Sequence, residues 1–200
     1  MKRICVYCGS SAGNKVEYVQ AARELGQLLA QRGIGLVFGG GRVGLMGEIA
    51  SSVMDNGGEV TGVIPKHLEY QGLNHPDAAD MRVVGSMHER KALMAELSDG
   101  FIAMPGGLGT FEEIFEALTW TQLGLHKKPC GLLNVNGYYD KLLEFLDHTV
   151  SEHFVAVEYR QMIMVDEQAH GLLEKLEHFQ LPTVDKILMA IHQTDDHEES

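Results

Sequence analysis

Residues 101–113 read FIAMPGGLGTFEE, an apolar run, a glycine-rich turn and the start of a helix-like pattern in thirteen positions. Phe101-Ile102-Ala103-Met104 has the length and continuity of a buried strand. Pro105-Gly106-Gly107-Leu108-Gly109-Thr110 then turns the chain, and Phe111, Ile114, Phe115 and Leu118 continue at helical spacing. A strand that turns directly into a helix aims the unbonded N–H groups of the first helical turn at the space beyond the strand end. Gly106, Gly107 and Gly109 let main chain approach a ligand without Cβ obstruction, while Thr110 is expected to cap the helix and add a hydroxyl donor. A phosphate fits such a turn. With no lysine in it, the turn is not a Walker A loop.

Outward from this junction, runs of strand length alternate with longer amphipathic segments almost from end to end. The candidate strands are Ile4 to Cys8, Ile34 to Phe38, Val60 to Ile64, Met81 to Val84, Phe101 to Met104, Cys130 to Val135 and Met162 to Val165. The pattern is α/β, a parallel sheet whose mostly continuous strands are covered on both faces by crossover helices. A first helix is expected from Lys15 to Arg32, with Asn14 and Glu17 as a capping box, Val16, Val19, Ala22, Leu25 and Leu28 on one face, and Gly33 as its stop. A second follows Gly44 and ends at Asn56-Gly57-Gly58. A third starts at Ser86, paired with Glu89 as a capping box, and ends before Ser98-Asp99-Gly100. Residues 66–80, KHLEYQGLNHPDAAD, have no clear period and stand where a substrate lid could be. Residues 1–193 read as one domain and 194–200 as an acidic, frayed tail.

A net charge of −12 argues against nucleic-acid or anionic-membrane partners, yet permits a small anion in one local pocket. No apolar stretch approaches the roughly 20 residues of a membrane span, and MKRICVYC lacks a signal-peptide core, so a cytoplasmic protein is expected. Three cysteines do not suggest a disulfide framework. Cys5 and Cys8 form C-x-x-C, but residues three apart on a strand face opposite sides, which spoils a shared metal or redox site. Ten histidines form neither H-E-x-x-H nor a compact Cys/His cluster, and no metal site is expected.

A second turn, Gly39-Gly40-Gly41-Arg42-Val43-Gly44, fits G-x-G-x-x-G. It follows the second strand rather than the first, and the next strand ends Val63-Ile64-Pro65-Lys66 without the acidic residue that would grip a ribose. Glycines permitting close helix–strand packing explain much of it. Glu113 stands three residues after Thr110, so it reads either as the reciprocal half of a capping box or as a carboxylate with chemistry to do. Glu112 and Glu116 crowd the same helix start, where carboxylates beside a phosphate would repel it. Arg90 and Lys91 lie in the first turns of their helix. That position is disfavoured for cations unless an anion is near, the alternative being an ordinary solvated face.

Taken together, Pro-Gly-Gly-x-Gly-Thr-x-x-Glu at 105–113 and Met87-His88-x-Arg90-Lys91-x-x-Met94 resemble the Lonely Guy family, cytokinin riboside 5′-monophosphate phosphoribohydrolases long labelled lysine decarboxylases. The similarity extends to Cys8-Gly9-Ser10-Ser11, to Gly39-Gly40-Gly41 with Gly44-Leu45-Met46-Gly47, and to Gly131-Leu132-Leu133-Asn134-Val135-x-Gly137-Tyr138-Tyr139. It covers Arg3 to Val165. The resemblance implies a Rossmann-like doubly wound sheet, a homodimer, no cofactor, and cleavage of the base–ribose bond of a nucleoside monophosphate. It places catalysis on Arg90 and Glu113. Substrate contacts would fall on Lys91, Gly106, Gly107, Leu108, Gly109, Thr110, Phe111, Glu112 and Thr119, with Gly9, Ser10, Gly40 and Gly41 around them. Leu108 departs from the aromatic residue common in relatives.

Cleaving an N-glycoside builds positive charge on ribose and negative charge on the leaving base. Glu113 is expected to stabilise the former and to handle the attacking water, with the glycine turn anchoring the 5′-phosphate. Arg90 serves the phosphate or the base. Two rivals remain. A pyridoxal-phosphate decarboxylase needs a Schiff-base lysine, and Ser86-Met87-His88-Glu89 has glutamate where such enzymes carry one. A non-catalytic nucleotide or pterin-cofactor carrier needs a phosphate turn but neither Arg90 nor Glu113. Phe111, Ile114, Phe115, Leu118 and Trp120 cover more than one helix face and are expected to form a partner surface.

Overall fold

Ile4 and Val6 point to one side of the first strand and Cys5 and Tyr7 to the other, and all four are buried. A strand buried on both faces needs helices above and below it. The structure, a computed structural model, describes residues 1–182. Residues 183–193 of the expected domain and the 194–200 tail lie outside the described residues.

In chain order the elements are β1 (Arg3–Tyr7), α1 (Val16–Gln31), β2 (Gly35–Phe38), α2 (Gly44–Asp55), β3 (Val60–Pro65), α3 (Lys66–Glu69), β4 (Asp80–Val84), α4 (Met87–Leu97), β5 (Gly100–Ala103), α5 (Leu108–Gln122), β6 (Cys130–Leu133), a 3₁₀ turn (Val135–Gly137), α6 (Asp140–Ser151), α7 (Val157–Gln161), β7 (Ile163–Asp166) and α8 (Ala169–Glu177). The sheet is parallel throughout, in the order β4-β3-β2-β1-β5-β6-β7. All seven expected strands are present, shifted by a residue or two at their ends.

From β1 the chain builds outward through β2 and β3 to β4, then returns to the other side of β1 for β5. The register Ile4↔Gly100 to Tyr7↔Ala103 joins the two halves. The order therefore reverses between β1 and β5, and in such a sheet the crevice beyond the carboxyl ends of those strands is where ligands sit. On one face Ile4, Val6, Leu36 and Phe38 pack with Leu25 and Leu29 of α1, Ile49 and Val53 of α2, and Leu172 and Leu176 of α8. On the other, Cys5, Tyr7, Val37 and Phe101 pack with Met94 of α4, Ile114 of α5 and Tyr139. Cys5 and Cys8 fall in opposite cores, both free.

Local expectations fare unevenly. Gly33 ends α1 at positive φ (66°), with Ile34 N–H reaching back to the Leu29 carbonyl. The Asn14–Glu17 capping box is absent: Lys15 occupies the N-cap and no side chain bonds there, and Val16 lies exposed outside the buried face. At α4 the Ser86 hydroxyl does accept from Glu89 N–H, but the Glu89 carboxylate returns to Gly85 N–H, one residue further back than the motif predicts. Residues 66–80 contain α3 and are fastened by hydrogen bonds from His75 N–H to the Gly40 carbonyl (2.8 Å) and from Arg42 N–H to the Leu73 carbonyl (3.0 Å). The segment that stands where a substrate lid could be is thus tied to the Gly40–Arg42 turn.

Candidate active site

Three loops converge beyond the carboxyl ends of β1, β2 and β5. Gly9 N–H donates to the Pro105 carbonyl (3.0 Å) and Leu45 N–H donates to the Gly9 carbonyl (3.0 Å). These two bonds tie the β1 loop to the turn after β5 on one side and to α2 on the other. Gly44, at φ 61°, closes the second join: a Cβ there would overlap the main chain of Ser10 and Ser11. The glycine at the end of the GGGRVG turn thus lets α2 pack on the β1 loop, and the main chain of buried Gly40 and Gly41 is engaged with residues 74 and 75.

The turn at 105–110 is different. Gly107 is the N-cap of α5 with no side-chain hydrogen bond, and the bond from Phe111 N–H to the Gly107 carbonyl (3.1 Å) opens the helix. The N–H groups of Leu108, Gly109 and Thr110 precede that bond, at the positive end of the helix dipole, and Gly107, Leu108 and Gly109 are exposed. Thr110 does not cap the helix as expected; it sits in the first turn, buried.

With α5 beginning at Leu108, Glu112, Glu113 and Glu116 fall in its second and third turns, not at its start, and the capping-box reading of Glu113 fails. Its side chain is 11% exposed and faces Arg90 of α4, with Arg90 Nη1 3.3 Å from Glu113 Oε1. The solvated-face reading of Arg90 fails likewise. Arg90 is buried, donating from Nε to the Val63 carbonyl and from Nη2 to the Gly39 carbonyl, each at 3.1 Å. One carbonyl just past β2 and one within β3 thus hold the guanidinium so that its remaining nitrogen meets the carboxylate. Burial pushes the Glu113 carboxyl up to about 7, against the pull of Arg90, with Glu112 adding to the rise. The Glu113 charge also adds to the upward shift that burial imposes on the Cys8 thiol.

Lys91 is equally buried and pairs with Glu112 and with Glu116 (3.1 Å). Burial alone would lower its pKa, but the two carboxylates outweigh this and hold it above the usual lysine value. An ammonium held that firmly is a poor Schiff-base former, which argues against Lys91 as the anchor of an aldehyde cofactor. Thr119 lies apart, two turns beyond Glu112 on α5. Its hydroxyl donates to the Phe115 carbonyl (2.7 Å) and it borders a groove of about 110 Å³ with Phe115, Leu118 and Leu146. Of the expected partner face, Ile114 is fully buried within the chain, while Phe111, Phe115, Leu118 and Trp120 are half-buried. Ser10 is exposed at the cleft mouth, as is Leu108, at 86%. A hollow of about 680 Å³ lined by Lys2, Arg3, Glu59 and Glu96 opens at the opposite end of the sheet and contains none of these groups.

Tyr138 and Tyr139, which carried no role in the sequence reading, bond the turn and the strand before it through their hydroxyls. The Tyr138 hydroxyl donates to the Gly106 carbonyl and the Tyr139 hydroxyl to the Met104 carbonyl (2.6 Å). Two aromatics directly after a strand-exit glycine were the available signal.

A doubly wound parallel sheet with an uncapped, glycine-rich helix start and a buried arginine–glutamate pair at its switch point defines a Rossmann-like protein. The family model described as "Possible lysine decarboxylase" matches residues 46–176. The cytokinin riboside 5′-monophosphate phosphoribohydrolase LOG of Oryza sativa subsp. japonica is 52% identical over 178 residues, 89% of this chain and 74% of its own length. The enzyme LOG1 of Arabidopsis thaliana is 51% identical over 186 residues, 93% of this chain and 87% of its own. The chain belongs to this Lonely Guy family. Among solved structures, the molybdenum cofactor binding protein of Rippkaea orientalis has the same fold, with a TM-score of 0.67 at 22% identity over 88% of this chain and 96% of that one. The molybdenum cofactor carrier protein of Chlamydomonas reinhardtii matches with a TM-score of 0.66 at 24% identity over 88% and 95%.

Proposed function

We propose that this chain hydrolyses the N-glycosidic bond of a nucleoside 5′-monophosphate, a cytokinin riboside 5′-monophosphate or AMP, giving free base and ribose 5-phosphate. The observation that carries the reading is the buried Arg90–Glu113 pair beside the open N-terminus of α5. The relatives at about half identity bear the name of this activity.

The N–H groups of Leu108, Gly109 and Thr110 hold the 5′-phosphate, and that remote binding energy positions the ribose over Glu113. As the bond from C1′ to the base nitrogen breaks, its electron pair leaves with the base and C1′ becomes cationic, facing the Glu113 carboxylate. Water adds its oxygen to C1′ and gives one proton to Glu113, which releases it to solvent as the departing base takes one from solvent, so water is divided between the two products and the carboxylate is regenerated. Arg90, with Nε and Nη2 committed to carbonyls, keeps the carboxylate in place and retains enough of its charged form at neutral pH. Lys91 fixes Glu112 and Glu116 clear of the phosphate.

The three buried, unoxidised cysteines support a cytoplasmic location. The apolar groove lined by Phe115, Leu118, Leu146 and Val155, with Phe154 87% exposed nearby in sequence, supports association with a second copy. Free base released from AMP and isopentenyladenosine monophosphate, followed by chromatography with Glu113→Ala alongside, tests the reaction. Release by wild type and not by the folded variant is expected. AMP binding without release would transfer the site to a carrier.

A further inference from the structure

We infer that Tyr138 is a positioning residue for the phosphate turn, its hydroxyl setting the direction in which the Gly107 N–H points. In a trans peptide the carbonyl of one residue and the N–H of the next are antiparallel. With its Gly106 oxygen held by Tyr138, the peptide directs the Gly107 N–H the opposite way, to the side of the crevice where the N–H groups of Leu108, Gly109 and Thr110 open. This peptide lies between two glycines, which impose little preference of their own on its rotation. The bond from Tyr138 supplies what the sequence of the turn omits.

The tyrosine is itself held. Asn134 accepts Tyr139 N–H on Oδ1 (2.7 Å) and donates from Nδ2 to Asp140 (2.7 Å), while its own N–H donates to the Asp166 carbonyl at the end of β7 (2.8 Å). Asn136 and Gly137, at φ 56° and 70°, turn the chain so that both tyrosines face β5. The Tyr138 ring then stands edge-on to Tyr18 (5.8 Å) and Tyr139 (5.0 Å). The two hydroxyls divide the work. Tyr139, 1% exposed, satisfies a carbonyl inside the core; Tyr138, 37% exposed, satisfies one at the rim, where little stability depends on it. The segment after β6 thus acts as a brace joining the far strands to the anion site.

The inference rests on the phosphate-anchor reading of the turn, so the test measures binding apart from turnover. Ribose 5-phosphate affinity is measured by titration calorimetry on wild type, Tyr138→Phe and Tyr139→Phe, with KM and kcat for AMP and thermal midpoints beside it. Loss of one orienting hydrogen bond in Tyr138→Phe is expected to weaken ribose 5-phosphate and raise KM together, each by about ten-fold, with kcat within about two-fold and the midpoint unmoved. Tyr139→Phe is expected to lower the midpoint and leave the affinity in place. Tyr138→Phe binding ribose 5-phosphate like wild type, or losing kcat at constant KM, overturns the inference alone. Wild type that releases base without measurable ribose 5-phosphate affinity overturns the anchor reading with it.

Discussion

Replacing Glu113 by glutamine should make the protein more stable above neutral pH while abolishing turnover. The carboxyl is held at about 7 in the folded chain against an ordinary 4.5, because burial disfavours its charge more than Arg90 favours it. Below pH 4.5 the group is protonated whether the chain is folded or not. Between 4.5 and 7 the folded state keeps a proton that the unfolded state has released, and stability from this group falls as pH rises. Above 7 the loss is complete. At 1.36 kcal/mol per pKa unit it amounts to about 3 kcal/mol.

Glutamine keeps the shape and an oxygen for Arg90 without the charge, so the variant should match wild type below about pH 4 and exceed it by about 3 kcal/mol at pH 8.5. In a chain of this size that difference corresponds to roughly 6–12 °C in thermal midpoint. Urea unfolding of both proteins across this pH range isolates Glu113, since every other titrating group is common to the two. Parallel curves would refute the burial-driven shift, and a variant less stable at all pH values would restore a structural role for the carboxylate. The same shift predicts that wild-type kcat climbs with pH through about 7, as the base form of Glu113 accumulates.

Two other perturbations separate the parts of the site. Gly39→Ala places a Cβ on Arg90 Nη2, whereas at Gly107 a Cβ meets nothing within 4 Å; the first should lower kcat by at least about 100-fold in base-release assays, while Gly107→Ala stays folded with a normal circular dichroism spectrum. His75 is buried, its Nε2 3.1 Å from the Ser51 hydroxyl and its Nδ1 accepting from Asp77 N–H. His75→Ala should release the 66–80 segment, seen as new limited-proteolysis cuts between Lys66 and Asp80, and weaken the main-chain tie to Gly40.

The inner strands were legible because they are buried on both faces, so each apolar run is continuous and its ends are marked by glycine or a polar residue; the edge strands β4 and β7 are only partly covered and carry a weaker pattern. Sheet order was not legible in the same way: nothing in VYCGSS or MPGGLG says that these two strand ends are neighbours, and only the return across β1 makes them so. The helix caps were misread for a local reason. Asn14 and Thr110 are good capping residues at plausible positions, but Lys15 and Gly107 take the N-caps, and at α5 an unbonded cap leaves the N–H groups facing outward. A hydroxyl folded over that end would compete with a phosphate for the same N–H groups. The failed prediction at Thr110 and the proposal at the glycine turn therefore meet in one feature, since the end of α5 is left uncapped by its own side chains. The burial of Arg90 follows similar logic. A guanidinium near a helix start is unfavourable on a bare helix, and it is tolerated here because two main-chain carbonyls and Glu113 surround it. Such compensation is tertiary, and it becomes visible only when β2, β3, α4 and α5 are brought to one end of the sheet.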